Sequence, residues 1–288
     1  MIRKVIIPAA GLGTRLLTAT KEMPKEMLPV FAKGLNGQIL AKPMLQLIFE
    51  QLYDVGFREF CFIVGRGKRA AEDHFNKDTS FIRYLHSKGK EDLSRELEVF
   101  YRKLDESVIV FINQPEPRGF GDAVYRAKSF VQGKPFLVHA GDDIVLSEKG
   151  SHITRLIRVF KGMNADIAFL VERVGNPRTY GVITGVKIDP YIYKVTDIVE
   201  KPRAPPSNIA VVAIYVFHNK IFKAIEQIRS YEAGETQLTD AIKHLILDGC
   251  KVYAVELLPG EKRIDIGTPE SYWEALKYTF SMCSRCSI

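Results

Sequence analysis

The residues best suited to chemistry are glycines and cations near the start of the chain. Residues 8–15 read Pro-Ala-Ala-Gly-Leu-Gly-Thr-Arg and directly follow the first apolar run. A glycine-rich turn at the carboxyl end of a strand lets backbone N–H groups approach a phosphate without interference from Cβ atoms. The sequence therefore predicts a phosphate-binding loop made of Ala10, Gly11, Gly13, Thr14 and Arg15.

Lys25 is a second cation, ten residues after Arg15. It lies between Pro24 and Pro29, and these prolines predict an extended segment that returns along the loop. Arg15 and Lys25 would then flank one anion. The alternative is a solvated turn that carries two surface charges.

Two standard nucleotide-binding loops do not fit these residues. A dinucleotide fingerprint needs a third small residue at position 16, where the chain has Leu16, and Pro24 and Pro29 interrupt the helix that should follow. A Walker A loop needs Gly-Lys-Ser/Thr after four residues, and this is absent.

Elements of alternating type must position the loop. Short apolar runs predict strands at residues 5–7, 60–64, 108–112, 136–138 and 167–171, and helical periodicity predicts helices at 43–55, 123–131 and 153–160. This order favours an α/β fold with three layers, α/β/α, around a mainly parallel sheet. Strands at 180–186, 194–199 and 209–217 follow one another with turns between them, which predicts a partly antiparallel extension.

The rest of the chain adds a strand at 252–257 and helices at 221–228, 238–247 and 269–280. Residues 70–104 are highly charged and predict a helical surface insertion. No repeat or linker divides the sequence, so we expect one domain, 1–288. Within it we expect an α/β part (1–171), a partly antiparallel part (172–268) and a C-terminal helix and tail (269–288).

Composition excludes several classes. Lys and Arg exceed Asp and Glu by 41 − 34 = 7, which suits an anionic partner, but no run of like charges predicts nucleic-acid binding. No apolar run approaches the ~18 residues of a membrane span. Four cysteines are too few for a disulfide framework and fit a reducing, cytoplasmic compartment. Cys283 and Cys286 lack a second pair or nearby histidine, so a zinc site is not expected.

The loop and the Pro-Lys segment resemble the signature of the sugar-nucleotide pyrophosphorylases, which join a nucleoside triphosphate to a sugar 1-phosphate. The resemblance continues at residues 114–119, 141–143, 180–182, 200–202 and 265–268. Residues 20–29, 72–75 and 234–240 are most similar to the bacterial and archaeal UTP:glucose-1-phosphate uridylyltransferase branch. The resemblance implies a Rossmann-like nucleotidyltransferase fold with a nucleotide-binding half (1–171) and a sugar-phosphate-binding half (172–268). It also implies formation of UDP-glucose and pyrophosphate from UTP and glucose 1-phosphate.

The resemblance also assigns roles. It implies catalytic functions for Arg15, Lys25 and Lys201, and it extends the nucleotide site of the loop to Gln114, Gly119 and Asp142. A side-chain amide followed by a turn can pair with the edge of a pyrimidine, although a proline-rich loop ending a strand is the simpler interpretation of residues 114–119. Arg118 replaces the lysine often found in the uridylyltransferases, which leaves dTTP as an alternative to UTP.

Further implied residues hold a metal and the sugar. Mg²⁺ is expected on Asp142 and Asp265, with Asp143 as a neighbouring turn or supporting residue. The sugar phosphate is expected on Tyr180, Gly181, Glu200 and Lys201. Relatives assemble as homo-tetramers or homo-dimers, so the apolar residues of the last helix are candidates for an interface: Tyr272, Trp273, Leu276 and Phe280. An NAD(P)-dependent oxidoreductase and a non-catalytic sugar-nucleotide sensor are the rival functions.

Overall fold

The computed structural model describes residues 2–231 and 234–284. Its strands are, in chain order, β1 Lys4–Pro8, β2 Pro29–Lys33, β3 Ile39–Pro43, β4 Glu59–Val64, β5 Val108–Asn113, β6 Phe136–His139, β7 Asp143–Leu146, β8 Ile167–Arg173, β9 Gly181–Asp189, β10 Ile192–Glu200, β11 Ile209–Phe217, β12 Val252–Glu256 and β13 Lys262–Asp265. Its α-helices are α1 Met44–Asp54, α2 Arg69–His74, α3 Thr79–Ser87, α4 Glu91–Asp105, α5 Phe120–Arg126, α6 Lys128–Val131, α7 Ser151–Gly162, α8 Lys220–Tyr231, α9 Leu238–Leu247 and α10 Pro269–Ser284.

A nine-stranded sheet in the order β5-β4-β1-β6-β11-β8-β12-β10-β9 forms the centre of the molecule. The first four strands are parallel, as the sequence predicts. The α/β class is confirmed, with one difference in the sheet. The antiparallel strand β11 lies between β6 and β8, in the middle of the sheet, instead of extending one edge.

Strand alternation divides the core between the two faces of this sheet. Val5 and Ile7 of β1 pack into one apolar cluster, whereas Ile6 packs into the other. All three side chains are fully buried. Helices therefore cover both faces of β1, and the carboxyl end of this strand opens at the sheet edge where the glycine-rich loop begins.

The last five strands in the sheet order, from β11 to β9, form a curled part of the sheet. Besides its place at the sheet edge, β9 pairs with β11 at one point, between Val182 and Ala210. This contact brings the start of β9 and the start of β11 together. The residues of the predicted sugar-phosphate site lie at this junction.

The charged segment 70–104 is helical, as predicted, but it is more than a surface insertion. Helices α2 to α4 form the crossover between the neighbouring parallel strands β4 and β5. Phe75 and Phe100 are almost completely buried, and their ring centroids lie 5.4 and 6.0 Å from that of Phe49. Because burying one such side chain is worth about 1.5–3 kcal/mol, this segment contributes to the core.

Three local features differ from the sequence prediction. Strands β2 and β3 form an unpredicted antiparallel hairpin, and β13 pairs with β7 in a separate ribbon. The predicted helix at 123–131 is two helices, because at Ala127 the chain switches to a tighter bond from its N–H to the Val124 carbonyl. No helix in the described part of the chain is long and apolar enough to cross a membrane.

Candidate active site

The glycine-rich loop leaves the carboxyl end of β1 and folds back on itself. Gly13 has a φ of 68°, and Thr20 Oγ1 donates a hydrogen bond to its carbonyl oxygen over 2.8 Å. A Cβ on Gly13 would lie 3.1 Å from Thr20 Cβ. Both the left-handed backbone and the lack of space therefore favour glycine at this position.

The segment between Pro24 and Pro29 is not extended, so that prediction was wrong. Residues Lys25–Met27 form a turn of 3-10 helix, closed by hydrogen bonds from Met27 N–H to the Pro24 carbonyl and from Leu28 N–H to the Lys25 carbonyl. Proline restricts its own φ and the residue before it, which leaves the residues between two prolines free to turn.

Lys25 nevertheless reaches the loop. A Cβ on Gly11 would lie 3.6 Å from Lys25 Nζ. Arg15 and Lys25 line one cavity of about 400 Å³, together with all the other residues that were predicted to bind the nucleotide: Ala10, Gly11, Gly13, Thr14, Gln114, Gly119 and Asp142. The structure thus brings these residues together around one space.

Lys25 and Asp142 form a direct ion pair through Nζ and Oδ2. Burial alone would lower the pKa of Lys25, but the charges of Asp142 and Glu26 raise it above the usual value. Burial also opposes ionisation of Asp142, yet Lys25 lowers the pKa of this carboxyl. Both side chains are therefore charged at neutral pH, which gives the cavity a fixed cation and an ionised carboxylate.

A second buried ion pair supports Lys25 from behind. Glu26 is 2% exposed, and its Oε2 accepts a hydrogen bond from Lys68 Nζ over 2.8 Å. Burial raises the pKa of Glu26 and the Lys68 charge opposes this rise. The sequence analysis missed this pair, because 42 residues separate its members and only the pairing of β1 with β4 brings them together.

The acidic residues lie on the ribbon of β7 and β13. In this ribbon Asp143 is directly opposite Asp265, and Ile266 N–H donates to the Asp142 carbonyl over 3.2 Å. Asp143 Oδ2 accepts a hydrogen bond from Arg263 Nε over 2.7 Å and lies 2.7 Å from Arg263 Nη2 in an ion pair. Burial raises the pKa of Asp143 to about 6 even though Arg263 opposes the shift.

The Asp143 carboxylate is thus paired with Arg263, whose Nη1 also donates a hydrogen bond to Glu172 Oε1 over 2.9 Å. Asp265 is held by different groups, since its Oδ1 accepts bonds from Gly267 N–H over 2.5 Å and from Ser271 Oγ over 3.1 Å. Among the described residues no three His, Cys, Asp or Glu side chains form a metal cage. Asp142 and Asp265 fit a hard cation that takes one or two carboxylates and completes its shell with phosphate and water.

Gln114 is almost completely buried at the wall of the cavity. Its Nε2 donates to the Gly119 carbonyl over 3.2 Å and to Asp122 Oδ2 over 2.8 Å. Gly119 has a φ of 96°, and a Cβ there would lie 2.6 Å from the Thr236 carbonyl oxygen, so only glycine fits. The sequence analysis identified Gln114 and Gly119 but missed Asp122, because no local motif marks a carboxylate eight residues away.

The predicted sugar-phosphate residues meet where the sheet curls. A Cβ on Gly181 would lie 3.2 Å from Glu200 Oε2, and the same oxygen accepts a hydrogen bond from Thr239 Oγ1 over 3.0 Å. Lys201 has a φ of 40°, and its N–H bonds to the Tyr180 carbonyl over 3.0 Å. Its side chain is 59% exposed and its Nζ lies 3.4 Å from Glu200.

Tyr180 and Asp265 line a second cavity of about 370 Å³. Gly267, only two residues beyond Asp265, lines the nucleotide cavity, and a Cβ on it would lie 3.1 Å from Arg15 Nη2. The end of the acidic ribbon therefore lies between the two spaces. Cys283 is buried on α10, and Cys286 lies outside the described residues.

Known proteins are similar to this chain over nearly its whole length. The model of the nucleotidyl transferase family matches residues 4–281. A UTP–glucose-1-phosphate uridylyltransferase from Pseudomonas aeruginosa is 35% identical over 97% of this chain and 96% of its own length. One from Bacillus subtilis is 39% identical over 92% of this chain and 87% of its own.

A solved structure has the same fold as this chain. The crystal structure of a UDP-glucose pyrophosphorylase complexed with UDP-glucose superimposes with a TM-score of 0.83 at 27% identity. The match covers 98% of this chain and 100% of that chain.

Proposed function

Because the chain belongs to the nucleotidyl transferase family, we propose that it joins UTP and glucose 1-phosphate to form UDP-glucose and pyrophosphate. The observation that carries this proposal is the single cavity in which the glycine-rich loop, Arg15 and the Lys25–Asp142 pair meet Gln114. Relatives named for this reaction share 35–39% of their residues with nearly the whole chain.

In the proposed complex the triphosphate lies along the loop. Ala10, Gly11, Gly13 and Thr14 face it, and Arg15 and Lys25 neutralise its charge. Gln114 and Gly119 face the base, and Asp142 lies beside the α-phosphate. The lack of a side chain at Gly11 supports this placement, because a Cβ there would lie 3.6 Å from Lys25 Nζ and would take up space beside the cation.

The sugar phosphate lies at the curled end of the sheet. Glu200 accepts hydrogen bonds from sugar hydroxyls, Tyr180 and Gly181 border the hexose, and Lys201 holds the phosphate. The hydrogen bond from Thr239 to Glu200 supports this role, since it fixes one carboxylate oxygen and leaves the other for a ligand or for Lys201.

The reaction is an in-line displacement. An oxygen of the sugar phosphate attacks the α-phosphorus of UTP, a new P–O bond forms, and the bond to the β-phosphate oxygen breaks to release pyrophosphate. No general base is needed, because the second pKa of a phosphomonoester is about 6 and the attacking oxygen is already anionic. Catalysis then consists of positioning two polyanions and stabilising the charge on the leaving pyrophosphate, which are tasks for Arg15, Lys25 and Lys201.

A divalent ion, Mg²⁺, is part of the proposal, with Asp142 and Asp265 as its protein ligands. When bound, such an ion offsets phosphate charge and orients the two substrates. Asp142 is suited to this role because Lys25 already keeps the carboxylate ionised, and Asp265 because its Ser271 and Gly267 contacts hold it in place.

Pyrophosphate release tests the proposal. We expect release from UTP with glucose 1-phosphate in the presence of Mg²⁺, and none in excess chelator. A grid of four ribonucleoside triphosphates and dTTP against several sugar 1-phosphates separates the alternatives. Equal use of dTTP would indicate the thymidylyltransferase or dual specificity, and binding of UDP-glucose without turnover would indicate a sensor. Hydride transfer with NAD(P)H would indicate the oxidoreductase, which Leu16 disfavours.

We also propose that the protein is cytoplasmic. It consists of one nucleotidyltransferase domain with three parts, 1–171, 172–268 and 269–288. It forms a homo-dimer or homo-tetramer and has no nucleic-acid or membrane partner. Trp273 is 60% and Phe280 49% exposed on α10, and this apolar surface supports self-association. Light scattering of the purified chain tests the oligomeric state, and a monomer at all concentrations would exclude it.

A further inference from the structure

Asp122 carries a buried charge next to the nucleotide cavity. It lies in the first turn of α5 and its side chain is fully buried. Its Oδ1 lies 3.0 Å from Arg229 Nη2, and its Oδ2 lies 3.3 Å from Arg126 Nε. Removing a carboxylate from water is costly unless it is paired, and these two guanidinium groups offset that cost.

Two acceptors, the Asp122 carboxylate at the shorter distance and the Gly119 carbonyl, determine which way the amide of Gln114 points. An ionised carboxylate only accepts hydrogen bonds, so it must face the nitrogen of the amide. Gln114 Nε2 donates to Asp122 Oδ2 over 2.8 Å and to the Gly119 carbonyl over 3.2 Å. Both amide hydrogens are therefore used by the protein itself.

The oxygen of the same amide is left for a ligand. Gln114 lines the nucleotide cavity, and no group of the described residues donates a hydrogen bond to its Oε1. With the two hydrogens held by the protein, Gln114 offers the cavity an acceptor and no donor. A pyrimidine base is accepted here if its ring N3 carries a proton that faces Gln114 Oε1.

We propose that Asp122 is a positioning residue that sets base selectivity by fixing the orientation of the Gln114 amide. The inference rests on the proposed function. Uracil and thymine carry a proton on N3, which pairs with Gln114 Oε1. Cytosine has a lone pair on N3, so two acceptors would face each other and the buried oxygen would lose its partner.

Replacing Asp122 with asparagine tests the orientation without changing the size of the side chain. The asparagine amide can donate to Gln114 Oε1, so that only the Gly119 carbonyl still favours the original orientation. The Gln114 amide can then turn in a fraction of the molecules and present its nitrogen to the cavity. We expect the ratio of kcat/KM for UTP to that for CTP to fall roughly 5- to 100-fold, the range of one unmade hydrogen bond. The ratio should fall because kcat/KM for CTP rises and kcat/KM for UTP drops.

Two control variants isolate the effect. Arg126→Gln keeps the carboxylate of Asp122 and should keep the UTP:CTP ratio of the wild type. Asp197→Asn removes an exposed carboxylate that pairs with Lys243 over 3.0 Å, and it should change neither the ratio nor the activity.

The outcomes separate this inference from the proposed function. Absence of turnover with UTP in the wild type would reject the proposed function. Turnover with UTP in the wild type, together with equal losses for both nucleotides in Asp122→Asn, would show a purely structural role for Asp122 and reject the inference alone.

A measurement on the wild type covers the case in which Asp122→Asn does not fold. In the NMR spectrum of the protein, the side-chain NH₂ hydrogens of Gln114 are assigned by their loss in Gln114→Leu. We expect them to exchange slowly with solvent and to shift little when UTP binds. Fast exchange in the free protein would show that the amide is not held and would overturn the inference.

Discussion

The two ends of the candidate site differ in how their charged residues are held. At the nucleotide end, the pairs Lys25–Asp142 and Lys68–Glu26 are largely or completely buried. At the sugar-phosphate end, the Lys201 side chain is 59% exposed and its Nζ lies 3.4 Å from the neighbouring Glu200. Groups fixed before the substrate arrives need no reorganisation during the reaction, whereas an exposed ion pair contributes about 0–1 kcal/mol.

This difference indicates a division of labour. The charged pairs at the nucleotide end are already formed by the fold, and we expect the exposed cation at the sugar-phosphate end to adjust when a substrate binds. Substitutions at the first end should therefore affect stability and turnover, and substitutions at the second should affect mainly substrate affinity.

Lys68→Met should produce the largest effect. It leaves the Glu26 carboxylate buried without its partner, and breaking one side of such a pair costs about 3–5 kcal/mol. Urea unfolding measures this loss in the free energy of unfolding. The double variant Lys68→Met with Glu26→Gln should recover much of it, and Lys77→Met, at an exposed pair with Asp105, should cost under about 0.5 kcal/mol. A small loss in Lys68→Met would show that the buried pair does not stabilise the nucleotide end.

Lys25→Ala should lower kcat by roughly two to three orders of magnitude, as loss of one group that stabilises the transition state typically does. The measurement is pyrophosphate release at saturating substrates. Lys21→Ala is the matched control, because the Lys21 side chain is 76% exposed and pairs with the exposed Glu22. An unchanged kcat in Lys25→Ala would remove Lys25 from the mechanism.

Acid should destabilise the protein through His152, a buried residue of α7 whose Nδ1 lies 2.6 Å from the hydroxyl oxygen of Ser147, directly after β7. Burial lowers the pKa of this histidine to about 3, so the unfolded chain binds a proton below pH ~6.5 that the native protein does not. Above pH 6.5 this histidine is neutral in both states and does not change the free energy of unfolding. As the pH falls from 6.5 towards 3, protonation of the unfolded chain lowers the free energy of unfolding. Between pH 7 and 4.5 the loss should be about 2–3 kcal/mol.

Urea unfolding at both pH values tests this expectation. Between pH 7 and 4.5, His152→Leu should lose about 2–3 kcal/mol less of its free energy of unfolding than the wild type does. His86→Leu, at an exposed histidine, should lose as much as the wild type. Identical pH dependence in His152→Leu and the wild type would contradict the assignment.

Lys201 should give the smallest effect. Lys201→Ala should raise the KM for glucose 1-phosphate roughly tenfold, equivalent to ~1.4 kcal/mol, with a smaller change in kcat. Lys201→Gly should show the same KM as Lys201→Ala. It should be about 1 kcal/mol more stable than Lys201→Ala, because residue 201 has a φ of 40° and glycine adopts this left-handed conformation without steric cost. A larger loss of kcat than of affinity would place Lys201 with the preorganised groups and break the comparison.

The sequence predicted those parts of the site that local spacing determines. The loop and its two cations were recognisable because a glycine-rich turn after an apolar strand and a nearby Pro-Lys segment together favour a phosphate site. Lys25 reaches the cavity although its segment turns instead of extending. The α/β class followed from the alternation of strands and helices.

Features that depend on long-range packing were not predictable in this way. Asp122, Lys68 and Arg263 act through partners 8, 42 and 120 residues away, and no local pattern marks such partners. The position of β11 also depends on which strands meet in the finished sheet, which apolar periodicity does not report.

The place of β11 has a consequence for how the protein is made. β6 has β11 as one of its two neighbours, and β8 lies between β11 and β12, so two strands from the first 171 residues depend on partners that leave the ribosome much later. A nascent chain that stops at residue 171 carries unpaired strand edges, which invite association with other chains. We therefore expect the two halves to mature together after synthesis has passed β12, and a gene fragment for the first half to yield aggregated protein.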